Sequence, residues 1–140
     1  MFEGALLTKL AADATLTAYV STYNGAPAIF SEHAPEGADM PYIVFRITRT
    51  ADAFPGVQAF TVFVDYYDYD VSASNSRKAA EQIEFLLDRV QLSDARYSNI
   101  RLFFSSGGSL EGADPRTVRY NLMFTARAGR KKWIDNNHTS

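Results

Sequence analysis

Four stretches of the chain alternate apolar and other side chains at every second position, and nothing else in the sequence limits the fold as tightly. The first, Tyr42 to Arg49, sets Ile43, Phe45 and Ile47 against Val44, Arg46 and Thr48. A period of two is the signature of a strand with one face buried. The second, Val57 to Tyr67, sets Phe60, Val62, Val64 and Tyr66 against Thr61, Phe63, Asp65 and Tyr67. Pro55-Gly56 between them is turn chemistry, so the two runs predict an antiparallel hairpin. The third and fourth, Asn99 to Ser105 and Arg116 to Ala128, place Ile100, Leu102 and Phe104, then Val118, Tyr120, Leu122, Phe124 and Ala126, in the same manner. Between these two lies a Ser/Gly-rich segment, 105–115, predicted as a long mobile loop.

The period changes to that of a helix between the two hairpins. Ala79, Ala80, Ile83, Leu86, Leu87 and Val90 form one stripe, while Arg77, Lys78, Glu81, Glu84 and Asp88 occupy the rest, with Ser72 or Ser74 available as a cap. Near the start, Phe2, Leu6, Leu7 and Leu10 predict a short amphipathic helix. Asp13 is placed to cap a second turn and a half carrying Leu16, Tyr19 and Val20, and helix is expected to about Thr22. Asn24-Gly25 with Pro27 stops it, a brief extended piece follows around Ala28 to Ser31, and an exposed loop spans 33–41. The fold class expected is α+β: a mostly antiparallel four-stranded sheet with helices packed on one face. Residues 1–128 are expected to form one domain and 129–140 a flexible basic and polar tail.

If helices cover a single face, the other carries Phe63, Phe103 and Met123 beside Arg46 or Arg49, Asp65, Arg101, Arg119 and Arg127. Such mixed apolar and charged surfaces are common at subunit contacts. The candidate interface is therefore Arg46, Arg49, Phe63, Arg101, Phe103 and Arg119, with Arg130, Lys131 and Lys132 of the basic tail.

Chemistry finds little to work with. The chain has 2 histidines and no cysteine, which excludes thiolate metal sites, a cysteine nucleophile and a disulfide framework. His33 stands in an acidic loop and His138 near the end, neither placed as a catalytic base. Asp65, Asp68 and Asp70 form the densest acidic cluster and, with a metal, would define a small hydrolase. On a strand, however, Asp65 and Asp68 point to opposite faces, and Asp68 or Asp70 fits better near the N-terminus of the following helix. Gly107-Gly108 follows a strand but meets no helix N-terminus that would hold phosphate. No catalytic, metal or cofactor site is expected. A formal charge of -2 gives no overall attraction to nucleic acid or membrane, and no apolar run reaches the roughly 20 residues of a membrane span. A local alternative is a sheet-based single-stranded nucleic-acid binder using Arg101, Phe103 and the basic tail.

Several runs together resemble a known family. They are Leu6-Leu7 to Ala12-Asp13-Ala14, Ile29-Phe30, Met40-Pro41-Tyr42-Ile43-Val44-Phe45, Phe60-Thr61-Val62-Phe63-Val64-Asp65, Arg77-Lys78-Ala79-Ala80-Glu81-Gln82-Ile83 and Val118-Arg119-Tyr120-Asn121-Leu122-Met123-Phe124. In this order they resemble the tail completion, or tail terminator, proteins of long-tailed bacteriophages and prophages, over residues 2 to about 128. Where members often have tryptophan or cysteine after the Val-Asp strand, this chain has Tyr66 and Tyr67. The resemblance implies a structural protein without enzymatic activity or cofactor. It would form a homo-oligomeric ring, a hexamer, at the head-proximal end of the tail tube, ending tube growth and joining tail to head. Implied partners are further copies of itself, the tail tube protein and the head-tail connector or head completion protein. DNA would pass through the lumen without sequence-specific binding, and no membrane is involved. The implied place is the head-tail junction of the virion, with assembly in the host cytoplasm.

Overall fold

The computed structural model describes residues 2–51, 55–69, 74–111 and 116–130, with the side chain of 111 excepted. Helix α1 spans Glu3–Ala11 and buries Leu6 and Leu10, with Glu3 in its first turn and Lys9 in its last, each the charge that the helix dipole favours there. Asp13 caps the single-turn helix α2, Ala14–Thr17, by accepting a hydrogen bond from the Leu16 N–H at 2.8 Å. The same carboxylate accepts from the Gln82 amide at 3.0 Å and so ties the N-terminal segment to the long helix. Helix does not run to Thr22. Thr22–Tyr23 (β1) and Ala26–Pro27 (β2) instead form a small hairpin whose corner residues, Asn24 and Gly25, have φ of 50° and 80°. Positive φ at both positions is what a type I′ turn requires, and Asn-Gly is its preferred pair.

The main sheet is built from Ile29–Ser31 (β3), Tyr42–Arg49 (β4), Val57–Asp68 (β5), Gln91–Leu92 (β6), Tyr97–Glu111 (β7) and Val118–Arg130 (β8), with α3, Ser74–Leu87, between β5 and β6. Its order is β3-β4-β5-β8-β7-β6. The expected four-stranded, mostly antiparallel sheet with helices on one face is thus overturned: the sheet is six-stranded, mixed and curled, and strand far outweighs helix among the described residues. The mixture comes from β3, which runs parallel to β4 with Ile29 opposite Ile43. β3 is the brief extended piece expected around Ala28 to Ser31, but strands of three and two residues, as β3 and β6 are, cannot display a period, so their places in the sheet come only from tertiary pairing.

The segment predicted as a mobile loop also differs. β7 continues through Ser106, Gly107 and Gly108 to Glu111, paired with β8 as far as Val118, and a bulge between Phe104 and Ser106 resets the register. Serine and glycine are weak strand formers, but their partners Tyr120, Leu122 and Met123 are not, and neighbouring strands outweigh intrinsic preference in a sheet.

One continuous core lies on the covered face. α3 packs on β5, β7 and β8, and α1 reaches β3 and α3. Ala79, Ala80, Ile83 and Leu87 of α3 are buried together with Ile43, Phe45, Phe60, Val62, Val64, Tyr66, Ile100, Leu102, Leu122 and Phe124. Phe2 and Tyr97 both meet the Phe60 ring edge-on, at 5.1 and 5.2 Å, and pin the chain's start and the base of β7 to β5. Tyr66 donates its hydroxyl hydrogen to the Tyr19 carbonyl at 2.6 Å, which satisfies the one polar atom of an otherwise apolar, fully buried ring. Among the described residues no helix is long and apolar enough to cross a membrane.

Candidate interaction face

Alternation along β4, β5, β8 and β7 sends every second side chain away from the helices. Arg46, Phe63 and Met123 fall in register across three strands, as do Tyr42, Tyr67 and Arg119, and Val44, Asp65 and Asn121. On β7, Phe103 stands opposite Thr125, and beyond the bulge Ser106, Gly108 and Leu110 share its side. Phe103 and Leu110 are exposed at 43% and 45%.

The arginines here are organised by rings and one carboxylate. Arg46 lies over the Phe63 ring at 5.0 Å, and Arg119 lies over Tyr67 at 5.6 Å. Arg119 also bonds Asp65 at 2.8 Å, while the second oxygen of Asp65 accepts from the Asn121 amide. Burial, reinforced by the Asp65 charge, pushes the Tyr67 phenol above its usual range, with Arg119 and Arg46 partly opposing the shift. Tyr67 closes an aromatic ladder that sequence reading missed. Tyr23 meets Phe30 at 5.5 Å, Phe30 meets Tyr42 at 6.1 Å, and Tyr42 meets Tyr67 at 5.2 Å. Tyr42 and Tyr67 share the parity of Arg46 and Phe63 in the sequence, which was the available signal. The contribution of Phe30 needs the parallel pairing of β3 and left no such mark.

The structure brings Arg46, Phe63, Arg101, Phe103 and Arg119 together on this face, with Met123 and Arg127. Arg101 and Arg127 are exposed, and Arg101 donates to the Gln91 side chain at 3.3 Å. Arg49 is not among them: it shares the parity of Ile47 and ends β4 on the covered side. Arg130, the last residue of β8, likewise shares the parity of Ala128 and pairs with Tyr97. Lys131 and Lys132 lie outside the described residues, as do Asp70, Ser72 and His138. Asp65 and Asp68 do point to opposite faces. Asp65 is held by Arg119 and Asn121, whereas Asp68 accepts from the Tyr69 N–H at 2.7 Å and lies 3.4 Å from the Tyr66 hydroxyl on the covered side. No group of three or more potential metal ligands occurs among the described residues.

The chain is thus a small domain whose curled sheet is covered by helices on one side and bears arginine and aromatic side chains on the other. The chain belongs to the family of tail completion protein gp17, whose model matches residues 4–129. That family consists of structural proteins of phage tails and is not an enzyme family. The fold is also similar to that of a chain in the virion of a native gene transfer agent (GTA) particle. The TM-score is 0.75 at 20% identity, over 91% of this chain and 94% of that one. No curated protein matches the sequence.

Proposed function

We propose that this tail completion protein acts as a homo-oligomeric ring, a hexamer, on the head-proximal end of the tail tube. There it stops tube growth and presents a rim to the head-tail connector or head completion protein, with DNA crossing the lumen without sequence-specific contact. Its place is then the head-tail junction of the virion, reached after assembly in the host cytoplasm. The observation that carries this reading is the uncovered face, where Arg46, Phe63, Arg101, Phe103 and Arg119 combine apolar area with charge in a chain of this family. The origin of the similar fold, a virion particle, is in keeping with it. The unit that packs into the ring includes Gly129 and Arg130, which β8 pairs with Val57, Ser98 and Tyr97 and which therefore do not belong to the tail expected over 129–140.

Light scattering coupled to size-exclusion chromatography tests the proposal, with the protein alone and mixed with tail tube protein. A discrete oligomer that caps tubes is expected. A chain that stays monomeric and never binds tube would refute it. A single-stranded nucleic-acid platform of Arg101, Phe103 and the basic tail is less well supported, because Arg101 already donates to Gln91 and the chain carries a formal charge of -2.

A further inference from the structure

Near the bases of β5, β7 and β8 the open face has a hollow. Pro55, Val57, Phe103 and Gly129 help to line a mostly apolar concavity of about 400 Å³ whose walls include Arg101 and Arg127. On the other side of the molecule, α3 carries a side chain with no role in the fold. Phe85 lies off the buried stripe and is 78% exposed, more than any other large hydrophobic residue among the described ones. Residues three and four apart on a helix are surface neighbours, so Glu81, Gln82, Asp88 and Arg89 surround Phe85, and Glu84 adjoins it in the chain, three acidic groups to one basic. Asp88 is engaged, accepting from the Phe104 N–H at 2.8 Å, while Glu81 and Glu84 are exposed.

A protruding ring whose border is acidic on balance and an apolar hollow between two arginines are complementary in shape class and in charge. One copy cannot use both, since α3 packs against the face opposite the hollow. We infer that Phe85 of one copy seats in the Arg101–Phe103–Arg127 hollow of a second copy, with Glu81 and Glu84 facing the two arginines. The inference rests on the proposed self-association and supplies its missing counter-surface. Because knob and hollow are different patches, the contact is head-to-tail and each copy offers one of each, which generates a closed ring or an open filament according to the angle.

Two exposed-site variants test it, Phe85→Asp and Phe103→Asp, each first shown by urea unfolding to keep the fold. In sedimentation velocity each should self-associate about 30-fold more weakly than the parent chain, the size of effect that loss of a central anchor produces. Mixed together, they should form a 1:1 pair and nothing larger, since one intact knob and one intact hollow remain between them. A single chain carrying Glu81→Arg, Glu84→Arg, Arg101→Glu and Arg127→Glu should recover assembly. If either single variant assembles like the parent, or the folded mixture gives no pair, the assignment is wrong while the ring can stand. A parent chain that is monomeric with and without tail tube removes both.

Discussion

Asp65 shows how much of the open face depends on one residue. Its carboxylate holds Arg119 at 2.8 Å and takes the Asn121 amide, and Arg119 in turn covers Tyr67. Asp65→Ala leaves a half-buried guanidinium and an amide without their acceptor. The expected loss is about 1–2 kcal/mol, measured as a lower urea midpoint with unchanged slope, because the pair is partly solvated and far from a dry core. Tyr67 is a neutral acid whose anion this site disfavours. Its folded pKa stands above the ordinary 10.0 because burial and the Asp65 charge disfavour the phenolate. Folded and unfolded chains bind the same proton below that value, so the contribution is whole at neutral pH and drains away as pH rises from 10.0 through the folded pKa. Thermal unfolding from neutral to strongly alkaline pH should therefore show an alkaline decline, and Tyr67→Phe should make it shallower. Equal slopes in the two chains would count against this account.

Among the elements, the β7–β8 hairpin separates what the sequence discloses from what it conceals. Gly108 sits within a paired strand, has open space where a Cβ would be and needs no positive φ. Gly108→Ala should accordingly stabilise the protein by about 0.5–1 kcal/mol, read as a raised urea midpoint. The α3 stripe and the long alternating runs of β4, β5 and β8 were legible because each buries one face, and burial writes a period into the residues. The strand character of 105–111 was not, because Ser105, Ser106, Gly107, Gly108 and Ser109 form a strand only through β8. β6 escaped notice by brevity, and β3 was legible as an extended piece but not as a parallel partner of β4. For the candidate site, parity alone grouped Arg46, Phe63, Arg101, Phe103 and Arg119. It left Arg46 and Arg49 as alternatives until the burial of Ile43, Phe45 and Ile47 placed Arg49 with them. Phe85 could have been noticed by projecting α3 on a wheel, since it falls between Ile83 and Leu87 yet outside their arc.

For the whole molecule, the open sheet face gathers arginines, Arg46, Arg101, Arg119 and Arg127, around the carboxylate of Asp65, whereas the exposed side of α3 mixes Arg77 and Lys78 with Glu81 and Glu84. The sheet's borders are equally uneven. β6 shields β7 only around Ile100 and Arg101, so among the described residues the stretch from Ser105 to Glu111 has no strand on its outer side. An unpaired border of that length invites amyloid-like stacking when it is built from valine, isoleucine or aromatic residues. Here it is mostly serine and glycine, which pair weakly. Ser106→Val combined with Gly108→Val should leave the far-ultraviolet spectrum intact yet make concentrated protein bind thioflavin and precipitate on standing. The bland composition of this border thus spares the protein an adhesive seam along the unshielded length of its longest strand.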